Sequence, residues 1–230
     1  MATAIFPAAG QSRRMKSSKN KNFLELAGQP ILIHTLLKFS QSEQIDNLII
    51  AAAVDEVTII EDMLSKIEGL KPFQVVIGGS ERQYSIANAL KVVPDNCDVV
   101  LVHDAARPLI SIKIIDEVIE IAKIYGGAVA AVPEKNTIKV IDSENFVVDT
   151  PPRAQLVSIQ TPQGFRREII MKAYEQAERD GFLGTDDSSL VERLDYKVKI
   201  VQSDYKNIKI TTPEDILIAE ALLRSDHQNG

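Results

Sequence analysis

The chain has 230 residues and a formal net charge of −6, with 45% hydrophobic and 25% charged residues. This length and balance are typical of one sizeable α/β domain, and the negative charge excludes a general affinity for nucleic acids or membranes. One cysteine and three scattered histidines exclude a disulfide framework and a zinc motif. We therefore expect any anion-binding site to be a local cluster of positive charge.

The first apolar run starts close to the beginning of the chain, and no apolar run approaches the ~20 residues that a membrane span needs. We therefore expect no signal peptide and no membrane anchor. A cytoplasmic protein is the expectation.

Strand-like apolar runs alternate with amphipathic helical runs in the first half of the chain. The predicted strands cover residues 4–7, 47–53, 73–77, 99–103 and 128–132, and the predicted helices cover 31–39, 54–67, 81–92 and 112–125. The strands are continuously apolar rather than alternating, as expected for a parallel sheet that is covered on both faces. The pattern predicts a doubly wound, mostly parallel α/β sheet that binds ligands at the carboxyl ends of its strands.

Residues 133–155 interrupt this alternation. They are polar and β-branched, have no helical period, and end near Thr150-Pro151-Pro152. A hairpin or extended β-arm that leaves the main sheet fits this composition best. Such an arm often grips a second subunit, so we expect a single domain, 1–230, that forms a homodimer through the arm.

The last third of the chain returns to mixed elements. The predicted strands cover residues 156–160, 198–202 and 207–210, and the predicted helices cover 166–180 and 186–194. Thr212-Pro213-Glu214-Asp215 predicts the start of a final helix, in which Thr caps, Pro takes the first position and Asp reaches back.

A small-residue loop follows the first predicted strand. Pro7-Ala8-Ala9-Gly10 lets the backbone turn and approach a ligand, and Arg13, Arg14, Lys16, Lys19 and Lys21 follow closely. Clustered cations at a strand end suit a triphosphate. The loop lacks the Gly-Lys-Ser/Thr of a Walker loop and has one glycine where the dinucleotide fingerprint needs three. An ordinary turn with solvated lysines is the alternative.

Two further predicted strands end in polar loops. After the fourth strand, Asp104 offers a ligand for magnesium or a sugar hydroxyl, and Arg107 offers a fork suited to phosphate. After the third, Gly78-Gly79-Ser80 opens a helix and forms a small polar pocket. The alternatives are a strand-end ion pair between Asp104 and Arg107, and a well-capped helix.

Lys209 lies in the β-type run 207–210, between Ile208 and Ile210. Alternation along a strand permits a functional lysine here but equally a solvent-facing one.

In order along nearly the whole chain, these motifs resemble the 2-C-methyl-D-erythritol 4-phosphate cytidylyltransferase family. The matching motifs are Pro7-Ala8-Ala9-Gly10 with Arg13-Arg14-Met15, Lys21, Gly78-Gly79-x-x-Arg82-x-x-Ser85, His103-Asp104-Ala105-Ala106-Arg107-Pro108, Gln160-Thr161-Pro162-Gln163, Thr185-Asp186, and Asn207-Ile208-Lys209-Ile210-Thr211-x-Pro213-Glu214-Asp215. The sequence departs from the family where Asn20, rather than Pro, precedes Lys21.

The resemblance implies a Rossmann-like nucleotidyltransferase fold and a reaction in which a sugar phosphate attacks the α-phosphorus of CTP, with Mg²⁺ as cofactor. It implies catalytic roles for Arg14, Lys21, Arg153 and Lys209. It places the nucleotide against Ala8, Ala9, Gly10, Gly79, Ser80, Ser85 and Ala105. It assigns the sugar phosphate to Asp104, Arg107, Thr137, Thr161 and Thr185, with Arg153 beside it, and the metal to Asp104. Thr137 and Arg153 lie in the arm, so a partner subunit is a possible source of both.

Three alternatives remain open from the sequence. The nearest is a ribitol 5-phosphate cytidylyltransferase, which shares the nucleotide half, although Ala105-Ala106 and Thr185-Asp186 favour the methylerythritol enzyme. A nucleotidyltransferase for another sugar or cofactor is the second. A catalytically inactive nucleotide-binding regulator is the third, and the presence of Arg14, Lys21, Asp104 and Lys209 argues against it.

Overall fold

The structure is a computed structural model that describes residues 1–10 and 21–228, without the side chains of Lys21 and of 226–228. Its central sheet contains seven strands, β1 (Ala2–Pro7), β4 (Ile45–Ala52), β5 (Phe73–Ile77), β6 (Val99–Val102), β7 (Gly127–Pro133), β10 (Val157–Arg166) and β11 (Lys199–Gln202). Their order across the sheet is β11-β7-β10-β6-β1-β4-β5. Only β10 runs antiparallel to its neighbours within this sheet. The predicted doubly wound, mostly parallel fold is confirmed.

Seven helices are described: α1 (Ile31–Ser40), α2 (Val57–Leu64), α3 (Arg82–Leu90), α4 (Ile112–Tyr125), α5 (Arg167–Arg179), α6 (Asp187–Glu192) and α7 (Pro213–Gln228). Two short pairs lie outside the main sheet, β2 (Glu25–Leu26) with β3 (Gln29–Pro30) and β8 (Val140–Ile141) with β9 (Val147–Asp149). No helix among the described residues is both long and apolar enough to cross a membrane.

Consecutive residues of a strand point into two hydrophobic cores, one on each face of the sheet. Phe6 packs with α1, α2 and α4 on one face of the sheet, whereas Ile5 packs with α3, α5 and α6 on the other. Both side chains are fully buried. Because consecutive strand side chains point to opposite faces, a sheet covered twice needs uninterrupted apolar strands. This explains the continuous runs in the sequence.

The sheet reverses its winding between β1 and β6. The chain passes from β1 outward to β4 and β5, and then returns to place β6 on the other side of β1. The loops after β1 and β6 therefore diverge and leave a crevice at the carboxyl ends of the strands, where doubly wound sheets bind ligands.

Two predicted elements are wrong in detail. Residues 207–210 form an extended segment outside every sheet, held by a hydrogen bond from Ile210 N to Ala106 O of 2.8 Å. The strand predicted over 156–160 is longer in the structure, where β10 continues to Arg166. Pro162 is tolerated there because the pairing register with β7 shifts between Ile159 and Gln163, so the strand does not need a regular ladder donor at this point.

The final helix begins at Pro213, as predicted, and Asp215 reaches back to the residues before it. The Asp215 carboxylate accepts hydrogen bonds of 2.8 Å from the backbone N–H groups of Thr211 and Thr212. These bonds lower the pKa of Asp215, although its partial burial opposes the shift. Asp215 thereby fixes the chain between the 207–210 segment and α7.

Residues 138–149 contain the hairpin of β8 and β9. Its large apolar side chains are exposed in the single chain: Ile138, Val140, Ile141, Phe146, Val147 and Val148. Six exposed large apolar side chains within residues 138–149 are unusual for a monomer.

Phe39 anchors the core beneath the crevice. Its fully buried ring packs edge-on against Phe6 at 4.9 Å and lies 4.7 Å from the His103 ring. We expect Phe39→Ala to lower the free energy of unfolding by about 3–5 kcal/mol, since a large cavity replaces the ring. Urea unfolding measures this. The control is Ile59→Ala at an exposed position of α2, which should stay within about 0.5 kcal/mol of the parent; an equal loss in both variants would contradict the packing account.

Candidate functional site

Two adjoining cavities occupy the crevice at the carboxyl ends of the strands. The first, of about 480 Å³, is lined by the loops after β1, β5 and β6. The second, of about 530 Å³, is lined by the loop after β6, by β10 and by the start of α6. Arg82, Asp104 and Lys209 line both cavities. The two spaces therefore meet at one cluster of charged side chains.

Small residues form the walls of the first cavity. Ala8, Ala9 and Gly10 lie on one side, Gly79, Ser80 and Ser85 on another, and Ala105 and Ala106 on a third. A Cβ added at Gly78 would lie 2.6 Å from the Ala9 Cβ atom, so only glycine lets these two loops pack together. The structure thus brings together every predicted nucleotide-binding residue around the first cavity, on loops whose backbone borders it.

Ser85 shapes the loop after β5 through its own hydrogen bonds. Its hydroxyl accepts a bond of 3.0 Å from Gly79 N and donates one of 3.0 Å to Glu81 O. The side chain is therefore committed to the loop, whereas the neighbouring Ser80 is exposed.

Asp104 lies at the junction of the cavities and contacts three cations. Its Oδ2 atom lies 3.1 Å from Arg107 Nε and 3.0 Å from Lys209 Nζ, and its Oδ1 atom lies 3.6 Å from Arg82 Nε. Burial by itself would raise the pKa of Asp104, but Lys209, Arg82 and Arg107 hold it well below its usual range. The carboxylate is therefore ionised, and the surrounding cations outnumber it.

The backbone around Lys209 is pinned from β10. The buried Asn207 amide donates to Gln160 Oε1 at 2.8 Å and to Thr161 O at 2.9 Å. Arg107 Nη1 donates to Asn207 O at 2.8 Å. A fixed segment thus directs Lys209 Nζ at Asp104, while 35% of the lysine side chain is exposed. Asn207 and Gln160 belong to the sequence motifs described above, but the sequence did not indicate a role for either.

Buried hydrogen bonds of Thr161 and His103 hold the backbone of Asp104 in place. Thr161 Oγ accepts from Asp104 N at 3.0 Å and lies 3.1 Å from His103 Nδ1, while His103 Nε2 lies 3.1 Å from Arg107 O. Thr161 therefore donates to Nδ1, and Nε2 carries the proton. Burial lowers the pKa of His103 to about 3. The imidazole is neutral and structural, which agrees with its absence from the predicted site.

Some predicted residues lie apart from this cluster. Thr185 lines the second cavity, whereas Thr137 and Arg153 are exposed in the arm segment and line neither cavity of the single chain. Arg153 Nη1 donates to Lys135 O at 3.0 Å. Arg14 and the side chain of Lys21 lie outside the described residues, so their predicted roles stay predictions.

The carboxylate of Asp104 would suit a magnesium ion, although the described residues form no complete protein cage for one. Among residues 1–10 and 21–228, no group of three or more His, Cys, Asp or Glu side chains is placed to hold a metal. Mg²⁺ usually takes one or two carboxylates together with substrate phosphates and waters. Asp104 is a carboxylate of this kind, so the residues fit an ion that receives most of its ligands from a bound triphosphate.

The neutral state of His103 makes stability depend on pH. In the unfolded chain a histidine binds a proton near pH 6.5, but His103 in the folded chain does not until about pH 3. The contribution of neutral His103 to the free energy of unfolding is therefore complete above the pKa of the unfolded chain. It declines as pH falls through that pKa, by up to about 1.4 kcal/mol per pH unit. Urea unfolding from about pH 7 to pH 5 tests this above the carboxylate range. His103→Gln should have a shallower slope; identical slopes would contradict the assignment.

The family model described as 2-C-methyl-D-erythritol 4-phosphate cytidylyltransferase matches residues 2–225. The chain is 49% identical to the protein of that name from Caldanaerobacter subterraneus subsp. tengcongensis, over 96% of this chain and 98% of the other.

Solved structures agree. The crystal structure of 4-diphosphocytidyl-2C-methyl-D-erythritol synthase from Anaerococcus prevotii has a TM-score of 0.87 at 36% identity, covering 97% of this chain and 96% of that one. The 2-C-methyl-D-erythritol 4-phosphate cytidylyltransferase from Thermus thermophilus has a TM-score of 0.77 at 31% identity, covering 96% and 98%. The chain therefore belongs to the 2-C-methyl-D-erythritol 4-phosphate cytidylyltransferase family.

Proposed function

We propose that this chain joins CTP to 2-C-methyl-D-erythritol 4-phosphate. A phosphate oxygen of the sugar phosphate attacks the α-phosphorus of CTP. The bond from that phosphorus to the bridging oxygen breaks, and pyrophosphate leaves with the electron pair. The other product is 4-diphosphocytidyl-2-C-methyl-D-erythritol. The observation that carries the proposal is that two cavities of substrate size share Arg82, Asp104 and Lys209 at their junction.

The first cavity suits the nucleotide. Its small-residue walls let backbone groups lie close to a base and ribose, and the narrow loop formed by Gly79 and Ser85 favours a pyrimidine over a larger purine. The cations Arg14 and Lys21 follow this wall in the sequence and would neutralise the triphosphate. Ala105 would lie against the ribose.

The second cavity suits the sugar phosphate. Arg107 and Lys209 present positive charge at its inner end, and Thr161, Gln163 and Thr185 offer polar groups along its walls. A phosphate bound here would face the α-phosphate of a nucleotide in the first cavity, and Lys209 would lie between the two. Attack of one phosphate on another is limited by charge repulsion, so a shared cation at the meeting point lowers the barrier electrostatically.

The reaction needs no general base in this arrangement. A phosphate monoester is already anionic at neutral pH and attacks without losing a proton to the protein. The neutral, buried His103 agrees with this chemistry. Asp104 is the residue that would hold Mg²⁺ together with the substrate phosphates. The ion would add positive charge to the triphosphate.

We propose that the arm, residues 133–155, completes the second cavity of a partner subunit. Thr137 and Arg153 match family positions for the sugar phosphate but lie outside both cavities of their own chain. The exposed apolar hairpin supplies a surface that a second copy would cover. A homodimer that exchanges arms satisfies both observations.

Substrate choice tests the function directly. With CTP and Mg²⁺, we expect pyrophosphate release to be at least about 100-fold faster with 2-C-methyl-D-erythritol 4-phosphate than with ribitol 5-phosphate, measured as kcat/KM. ATP and GTP serve as controls for the base pocket. A preference for ribitol 5-phosphate would contradict the proposal. Nothing among the observations above favours that alternative.

Exchange of arms predicts complementation between two impaired proteins, assayed at sugar phosphate concentrations far below the KM of Arg153→Ala. Arg153→Ala should chiefly raise the KM for the sugar phosphate, and Lys209→Ala should lower kcat by about 100-fold or more. In a hybrid dimer, the chain with intact Lys209 receives the intact Arg153 of its partner. Mixed subunits should therefore regain up to about one quarter of parental activity, as random pairing and one restored site imply.

The hybrid experiment has a clear negative result. Activity that stays at the sum of the two separate variants after subunit exchange would show that Arg153 acts within its own chain or not at all. Lys199→Ala, on exposed β11 and outside both cavities, is the control for a lost surface lysine.

A further inference from the structure

Arg82 occupies a central position that the sequence did not assign to any role. It is the first residue of α3, and its side chain lines the first cavity, the second cavity and a smaller space of about 220 Å³ behind them. Its position therefore affects both substrate spaces.

Asp187 holds the guanidinium in a two-point contact. Arg82 Nη1 and Nη2 donate to Asp187 Oδ1 and Oδ2 at 3.1 and 2.7 Å. Asp187 is fully buried at the start of α6. Such a parallel fork fixes the plane of the guanidinium as well as its place.

Tyr174 supports the same carboxylate from α5. Its hydroxyl donates to Asp187 Oδ1 at 2.5 Å. Burial and the nearby Asp187 raise the pKa of Tyr174 well above its usual value, so the hydroxyl keeps the proton that it donates. The Asp187 carboxylate is thus held from two sides.

Of the three N–H groups of the guanidinium that do not bind Asp187, the one on Nε lies towards the junction. Arg82 Nε lies 3.6 Å from Asp104 Oδ1, while Arg107 and Lys209 contact Oδ2. An Arg82 fork released from Asp187 would be free to turn both terminal nitrogens towards Asp104. It would then compete with Lys209 for that carboxylate.

We propose that Asp187 and Tyr174 are positioning residues. They keep the guanidinium of Arg82 bound to Asp187, so that Asp104 remains available to orient Lys209 at the junction of the cavities. The inference rests on the proposed function, because it concerns the alignment of Lys209 with the reacting phosphates. It assigns a catalytic consequence to side chains of α5 and α6 that line no part of the nucleotide cavity.

Steady-state kinetics gives the first test. We expect Asp187→Asn to lower kcat by about 10-fold and Tyr174→Phe by about 3-fold, with the KM for CTP changed less than about 2-fold. The reason is that the nucleotide walls are intact while Lys209 loses its fixed partner. Unchanged kcat in both folded variants would overturn the inference, as would a loss confined to KM.

A double-mutant cycle with Arg82 gives the second and sharper test. The proposed defect of Asp187→Asn arises from a released Arg82 guanidinium that competes with Lys209 for Asp104. In the Arg82→Ala background no guanidinium remains, so Asp187→Asn should change kcat by less than about 2-fold, although it lowers kcat by about 10-fold in the parent.

The outcomes of this test separate cleanly. A similar loss of kcat from Asp187→Asn in both backgrounds would overturn the role of Asp187. Arg179→Ala, which removes an arginine paired with exposed Glu175, is the control: it should keep parental activity and leave the effect of Asp187→Asn unchanged. If Arg82→Ala does not fold by circular dichroism, Arg82→Lys replaces it in a double-mutant cycle with Asp187→Asn. Additive effects on kcat would then contradict the inference.

Failure of the proposed function is recognised separately. It appears as a parent protein that releases no pyrophosphate from CTP, and this result would overturn both proposals. An active parent with fully active Asp187 and Tyr174 variants would overturn the positioning role alone.

Discussion

The buried carboxylate of Asp104 is the interaction on which the site depends. A carboxylate removed from water destabilises the fold unless cations and hydrogen bonds compensate for the lost hydration. Arg82, Arg107 and Lys209 provide the cations, and they come from α3, the loop after β6 and the segment before α7. One anion thus fixes three distant parts of the chain, and it leaves a surplus of positive charge where two cavities meet.

The fold explains why these segments converge. The reversal of winding between β1 and β6 opens a crevice at the carboxyl ends of the strands, and the loops that carry the small residues border it. The antiparallel strand β10 supplies Gln160 and Thr161, whose hydrogen bonds fix Asp104 and the backbone near Lys209. Positive charge is therefore concentrated locally in a chain whose net charge is −6. Such a site attracts phosphates without a general affinity for polyanions.

Much of the fold could be predicted because strands buried on both faces have a strong apolar signature. The strand Phe73–Ile77 and the helix Ile112–Tyr125 have the predicted bounds. The predicted strand 156–160 stops before Pro162, which is unfavourable in a strand, whereas β10 continues because a register shift with β7 accommodates the proline; such a shift is a property of the pairing. Alternation around Lys209 was uninformative because the segment pairs with no sheet strand.

The site was predictable where the sequence carries local motifs and not where contacts are long-range. Asp104 and Arg107 are three residues apart, so a strand-end pair could be anticipated. Arg82 and Asp187 are 105 residues apart, and no local pattern indicates that they touch. The neutral state of His103 likewise depends on burial that only the folded chain provides. Motif reading therefore identified the residues around the cavities but missed the network that orients them.

A crystal structure with CTP and the sugar phosphate bound tests the central claim most directly. The account predicts the base and ribose in the cavity of Ala8, Gly79 and Ala105, the sugar phosphate in the cavity of Arg107 and Thr185, and Lys209 Nζ in contact with both phosphates. A nucleotide bound elsewhere, or substrate phosphates separated with Lys209 turned away from them, would contradict it.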